Sequence, residues 1–436
     1  MILQDVIYSI PALIALFLFF LAYVFVLLEE FTQLRKSKPL VLASGIIWII
    51  VAFIAHQQNV LPEINNSIRH HLMDFAELLL FIIVAITYIN VLTERKVFEA
   101  LRCWLTRQSL SFKQLFWITG ILTFFISAIA DNLTTALAMS AVILAVGKEN
   151  SRFIGIACVN VVVAANAGGA FSPFGDITTL MVWQAGIISL CGFFKLLLPS
   201  IINFLIPACC MHFALPKGRP LPPQKVVRFS EGGKRVIALF ILTILTTVIL
   251  QHHFKLPPVI GMMIGLAYLQ FFAYYTKYRK NIPTIEIFPA IKELDWDTLL
   301  FFYGVIMAIG GLSTLGYLEI LSHALYSGWE SFGPAYQHTP GNILIGLLSA
   351  LVDNIPLMFA VITMHPAMSE GQWLLLTLTA GVGGSLLSVG SAAGVSVMGQ
   401  ARHAYTFSTH LKWAWAIALG YIASILCHLW WNAESF

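Results

Sequence analysis

Three carboxylates, Asp131, Asp176 and Asp353, lie deep inside apolar sequence, and none has a Lys or Arg within fifteen positions along the chain. Asp131 sits in SAIADNLTT with Asn132, Thr134 and Thr135 beside it, and Asp353 sits in the similar SALVDNIPL, followed by Asn354. Asp176 closes NAGGAFSPFGD, which begins at Asn166, and Thr178 and Thr179 follow it. An aspartate at the centre of a membrane helix costs about 3 kcal/mol on insertion scales. Capping a broken helix would account for any one of the three, but not easily for the set. The donors these stretches offer are hard oxygens: carboxylate, amide carbonyl, hydroxyl and freed backbone carbonyl. Such a set suits a small hard cation or protons rather than a soft metal. It suits an anion badly, since an anion site would use helix amino termini, amides and hydroxyls without carboxylates. The six cysteines show no CxxC pair or zinc spacing, so neither a disulfide framework nor a metal cofactor is indicated.

The elements that must position these residues follow from composition. Of 436 residues, 58% are hydrophobic and 11% charged, with mean hydropathy +0.83, against about 25% charged in a soluble chain. Apolar runs at 8–28, 39–55, 78–93, 235–250 and 411–431 approach or reach the length that crosses a hydrocarbon core. This predicts an all-α polytopic membrane protein. The net charge of +4 resides in short loops, which argues against nucleic-acid binding. MILQDVIYSI has no basic n-region, so the first span is expected to be retained.

With the amino terminus outside, all but Arg69, Lys195 and Lys255 of the 25 basic residues fall in cytoplasmic segments. Both termini are then outside. Residues 114–130 and 133–147 form two arms too short to span comfortably, roughly 23–25 Å each at helical rise, with no loop between them. A re-entrant hairpin with Asp131–Asn132 at its tip fits better, and 341–352 with 355–367 forms a second. The blocks 76–84 and 296–304 correspond, as do SAIADN and SALVDN, and NAGGAFSPFGD and GVGGSLLSVGS. Each half should contain three spans, an interfacial segment (94–111 or 315–331), a hairpin, a Gly-broken span and a final span. Entered from opposite sides, the halves are inverted repeats, a transporter architecture. The expected division is 1–214 for the first repeat (1–111 scaffold, 112–214 transport part), 215–235 for a cytoplasmic linker, and 236–436 for the second (236–331 scaffold, 332–436 transport part). Glycine and proline free backbone groups that only a cavity or buried protein can satisfy in a membrane. Hairpin tips and broken helices should therefore meet near the midplane. Glu77 and Asp297 sit at span mouths, Glu319 should face water, and His365 and His403, nearest the second tip, are candidates for pH response.

The stretches SAIADNLTTALAM, NAGGAFSPFGDITTLMVWQAG, SALVDNIPLMFAVI and GGSLLSVGSAAGVSVMG resemble the NhaD-type sodium/proton antiporters of the ion transporter superfamily, and the resemblance covers most of the chain. It implies Na⁺ (and Li⁺) exchange for H⁺, a homodimer, residence in a bacterial inner membrane and an elevator-like movement of a transport part against a scaffold. It implicates Ser127, Asp131, Asn132, Asn166, Asp176, Thr178 and Thr179 in the first half, with Na⁺ at Asp131, Asn132, Asn166 and Asp176. In the second it implicates Ser349, Asp353, Asn354, Ser388 and Ser391. Because GDITT in the first half becomes GSAAG in the second, the first half is expected to hold the main ion site, where Na⁺ and protons compete for Asp131 and Asp176. Two rivals remain: a dicarboxylate or arsenite carrier of the same fold, and an intramembrane aspartyl protease, for which the GxGD and YD signatures are absent.

Overall fold

The structure, a computed structural model, describes residues 6–107, 110–147, 150–219, 231–278, 285–292 and 294–436. Lys148, Lys225, Arg228, Arg279 and Lys280, the side chains of Arg102 and Arg107, and most of the expected linker lie outside the described residues. Among the described residues there is helix and no strand. Ten helical stretches are long and apolar enough to cross a membrane, so this is an all-α, multi-pass integral membrane protein.

The chain begins with α1 (Ile10–Leu27), a short α2 (Glu29–Thr32), α3 (Ser37–Gln58), α4 (Leu61–Glu94) and an amphipathic α5 (Val97–Arg107). Two helices then meet head to tail, α6 (Phe112–Ala130) and α7 (Asn132–Val146), followed by α8 (Ser151–Gly169), α9 (Ile177–Gln184), α10 (Leu190–Phe193) and α11 (Leu197–His212). The second series is α12 (Gly233–Phe254), α13 (Pro258–Tyr278), α14 (Ile287–Lys292), α15 (Trp296–Thr314) and α16 (Tyr317–Tyr326). It continues with α17 (Thr339–Leu348), α18 (Asn354–Met364), α19 (Glu370–Gly383), α20 (Ala392–Gln400), α21 (Phe407–Leu411) and α22 (Ala414–Trp431).

Two boundaries differ from expectation. Helix α6 starts at Phe112 because Ser111 and Gln114 form a reciprocal capping box that satisfies two of its free amino-terminal N–H groups. Helix α4 runs for 34 residues, roughly 51 Å, and the apolar run from 78 is only its second half. Its first half carries Asn65, Asn66, Arg69, His70, His71 and Asp74, started by Pro62 where the missing N–H costs nothing.

Burial sorts the helices. Helix α1 has mean hydropathy 2.8 with 17% of it buried, whereas α8 has mean hydropathy 1.4 with 94% buried. The most apolar helix is the least buried, whereas α8 occupies the centre, where protein groups can meet its polar atoms. Residues 153–169 of α8 and 371–383 of α19 are buried without exception. Helices α4 and α15 run antiparallel: Ser67 Oγ is 3.2 Å from Thr314 Oγ1, while the rings of Phe75 and Tyr303 lie 5.3 Å apart. Around the centre, α7 packs on α20 and α9 on α18, so each second hairpin arm leans on the other half's broken helix.

Candidate functional site

Asp131 is the single residue between α6 and α7, at φ 56 and ψ 154. That conformation is sparsely populated for a residue with a side chain. The side chain holds it there: Oδ1 accepts from Leu133 N at 2.7 Å and Thr134 N at 3.2 Å, and Oδ2 accepts from Thr134 Oγ1 at 2.7 Å. These bonds satisfy the first free N–H groups of α7, as an aspartate cap does. Asp353 caps α18 from ordinary extended backbone, with Oδ1 accepting from Ile355 N at 3.4 Å.

The breaks between α8 and α9 and between α19 and α20 press directly on the hairpins. A Cβ added to Gly175 would lie 2.8 Å from Ser127 O, and one added to Gly390 would lie 2.6 Å from Ala350 O. Glycine is needed at both because backbone meets backbone there. A serine on each first arm latches the contact: Ser127 Oγ donates to Ala165 O at 2.6 Å, and Ser349 Oγ donates to Ala380 O at 2.7 Å. Asp176 caps α9 through Thr178 N and Thr178 Oγ1, both at 3.0 Å from Oδ1. Thr179 Oγ1 donates to Ser172 O and Asp176 O, each at 2.7 Å, closing the broken turn.

Asp176 also joins the two halves. Asn132 Nδ2 donates to its Oδ2 at 2.7 Å, and Asn354 Nδ2 reaches its carboxylate at 3.3 and 3.4 Å. Asn166 is the second junction: its Oδ1 accepts from Asn132 at 3.2 Å, while its Nδ2 donates to Ser385 Oγ at 2.8 Å and Ser391 Oγ at 3.0 Å. All three aspartates line one cavity of about 140 Å³, together with Asn132, Thr134, Asn354 and Ser391. There is thus one shared chamber rather than one per half. Asp131 makes no hydrogen bond to Asp176; the chamber wall and Asn132 connect them. Asp176 and Asn354 are buried, as are Ser127, Asn166, Thr178, Thr179, Ser349, Ser388 and Ser391, whereas Asp131, Asn132 and Asp353 are partly open to the chamber. Ser388 stands apart from this network, with its nearest polar partner Met398 Sδ at 3.9 Å.

Four participants were not singled out from the sequence. Ser385 lies within the glycine-rich stretch GGSLLSVGSAAGVSVMG, which itself marks the position. Lys36, at the start of α3, and Asp295 and Thr298, at the start of α15, line the same chamber and carry no local signal. A second, larger cavity of about 530 Å³ lies between α4, α9, α15, α16 and α18, lined by His70, His71, Asp74, Glu77, Glu319 and His365 among others. Glu319 therefore faces this cavity, and His365 does too, while His403 is exposed elsewhere. Among the described residues no cluster of His, Cys, Asp or Glu could hold a resident metal.

An all-helical membrane protein whose interrupted helices surround a small carboxylate-lined chamber is a membrane transporter. A family profile described as "Citrate transporter" matches residues 10–381. The chain is 50% identical to the Na⁺/H⁺ antiporter NhaD of Alkalimonas amylolytica, covering 99% of this chain and 93% of that protein. It is 51% identical to the NhaD of Vibrio cholerae, over 97% and 92% respectively. It is 28% identical to Sodium/proton antiporter 1 of Arabidopsis thaliana, over 94% and 71%. The chain belongs to the NhaD family of Na⁺/H⁺ antiporters.

Proposed function

We propose that this chain exchanges Na⁺, and Li⁺ with it, for H⁺ across a bacterial inner membrane. The observation that carries the reading is the convergence of Asn132 and Asn354 on Asp176 in a chamber that Asp131 and Asp353 also line. A cation entering there exchanges its water for carboxylate and amide oxygens. The matched profile's description raises the citrate alternative, but a chamber with so many carboxylates repels a polyanion. Na⁺ binds at Asp131, Asn132, Asn166 and Asp176, with Ser127, Thr178, Thr179, Ser349, Asp353, Asn354, Ser388 and Ser391 shaping the surrounding walls. Protons compete with Na⁺ for the same carboxylates. Exchange in everted vesicles, scanning Na⁺, Li⁺, K⁺ and citrate, tests this. Apparent Na⁺ affinity should strengthen as pH rises, and a flat dependence from neutral to alkaline pH sinks the shared site. If two protons leave per Na⁺, an imposed potential drives the cycle with about 2.3 kcal/mol per 100 mV. Voltage-insensitive exchange reduces the ratio to one.

The halves 1–214 and 236–436 are inverted repeats, joined by 215–235, with scaffold parts 1–111 and 236–331 and transport parts 112–214 and 332–436. The antiparallel run of α4 and α15, which contain the corresponding blocks 76–84 and 296–304, supports this. The basic loops are cytoplasmic and both termini are outside. Segments assigned to the outer side meet one another: Tyr317 Oη donates to Ile7 O at 2.9 Å, and Lys195 Nζ lies 3.0 Å from Glu370 Oε2. The protein works as a homodimer whose transport parts move elevator-fashion. With the native cysteines replaced, cysteines at Lys217 and Glu330 should label from opposite faces. Labelling of both by an impermeant reagent added outside overturns the inversion.

A further inference from the structure

The aspartate chamber also has a cation in its wall. Lys36, at the amino-terminal boundary of α3, lines it together with Asp295 and Thr298 of the α15 boundary. Its ammonium rests 4.5 Å from the centre of the Phe301 ring, the seat of a cation–π contact. Among the described residues, no carboxylate lies within ion-pair distance of it. The neighbouring acids are engaged by neutral donors instead. Asp297 accepts from Ser37 Oγ, and Asp295 accepts from Thr298 N at 3.4 Å and Thr298 Oγ1 at 2.7 Å. Asp131 is engaged by Leu133 and Thr134, and Asp176 by Thr178 and the two asparagines. Asp295 is exposed and Lys36 half-buried, which places both at the open end of the chamber.

We propose that Lys36 is a tethered cation at the mouth of the ion chamber, one that sets how readily Na⁺ enters from that side. An ion pair with one of the aspartates would have neutralised the site permanently. An aromatic face holds the ammonium beside the carboxylates without locking it to any of them. Its charge lowers the local concentration of every free cation and offsets the mutual repulsion of the aspartates when the chamber is empty. Apparent Na⁺ affinity is thereby weakened, so that the ion can leave as well as enter. Lys36 makes no side-chain cap on α3, so replacing it removes charge without removing a helix cap.

This inference rests on the Na⁺/H⁺ reading, and the experiment separates the two. In everted vesicles, wild-type protein is measured first. Absence of Na⁺-dependent proton movement overturns the exchange reading and this inference with it. Given wild-type exchange, Lys36→Met should lower the apparent KM for Na⁺ by on the order of three- to tenfold, the scale of one unit charge acting through a partly wet opening. Lys36→Glu should lower it further, and Lys36→Arg should restore the wild-type value. An ordering by charge with affinity tightening is not what loss of a structural contact produces. An unchanged KM in Lys36→Met, a weakened one, or failure of Lys36→Arg to restore it overturns the role of Lys36 and leaves the exchange reading intact.

Discussion

The two hairpins share their scaffolding and divide over their chemistry. In each, a first-arm serine donates to a carbonyl of the helix before the break, Ala165 or Ala380, and a glycine in the break presses on hairpin backbone. The first hairpin then turns in one residue, with Asp131 held at φ 56 by three donors, whereas the second relaxes across 349–353 and leaves Asp353 a single long bond. The asymmetry is sharper in the breaks: Asp176 corresponds to Ser391 and Asn166 to Gly381. Similar parts build the chamber, but only the first break carries an acid: Asp131 and Asp176 line it from residues 1–214, and Asp353 with the more exposed Asp295 from residues 236–436. The lesson is that packing symmetry and site symmetry are separable.

The largest effect should fall on Asp176→Asn and Asp131→Asn. Each keeps size and removes a negative charge that would replace water around the cation. Exchange should fall by at least about 100-fold with normal membrane insertion, read from vesicle assays beside an insertion blot. Near-normal exchange in either removes that residue from the site. Asp353→Asn sharpens the comparison: its loss should be smaller, around tenfold, as expected for about 1.4 kcal/mol. A loss equal to that of Asp176→Asn would make the halves equivalent after all. Next come the asparagines. Asn132→Ala should weaken Na⁺ affinity more than Asn354→Ala, because its bond to Asp176 is 2.7 Å rather than 3.3 Å. Titration of exchange against Na⁺ reads the difference, and the reverse order breaks the ranking. The smallest effects belong to the latches. Ser127→Ala and Ser349→Ala should each destabilise by about 1–2 kcal/mol, the cost of leaving a buried carbonyl unpaired. The two should match in thermal unfolding, and a large difference would show that the scaffolding is asymmetric as well.

What could be read in the sequence was what leaves a local mark. A DN pair in an apolar run and glycines inside a helix violate membrane rules plainly, and helices do end beside Asp131, beside Asp353 and at the two glycine-rich breaks. Helix α4 was half missed because its first turns, with Asn65, Asn66 and Arg69, are polar and break the apolar run that signals a span. Lys36 and Asp295 were invisible for another reason. Nothing near them in the chain distinguishes them from other loop charges, and only the approach of α3 and α15 brings them to the chamber. That Asp131 and Asp176 cap separate helices, with Asn132 bonded to Asp176, is a geometry set by long-range packing.

The crossed packing of the halves has a consequence for how the protein is made. Helix α7 leans on α20, and Ser140 Oγ is hydrogen-bonded to Gln400, 260 residues later. At about 5–20 residues per second, a ribosome needs roughly 13–50 s to cover that distance. Throughout that interval the first hairpin sits in the bilayer with Asp131 and Asp176 lacking the second half that completes their chamber. The nascent first half is therefore a natural client for the insertion machinery, and a chain stopped after residue 214 should be degraded rather than accumulate.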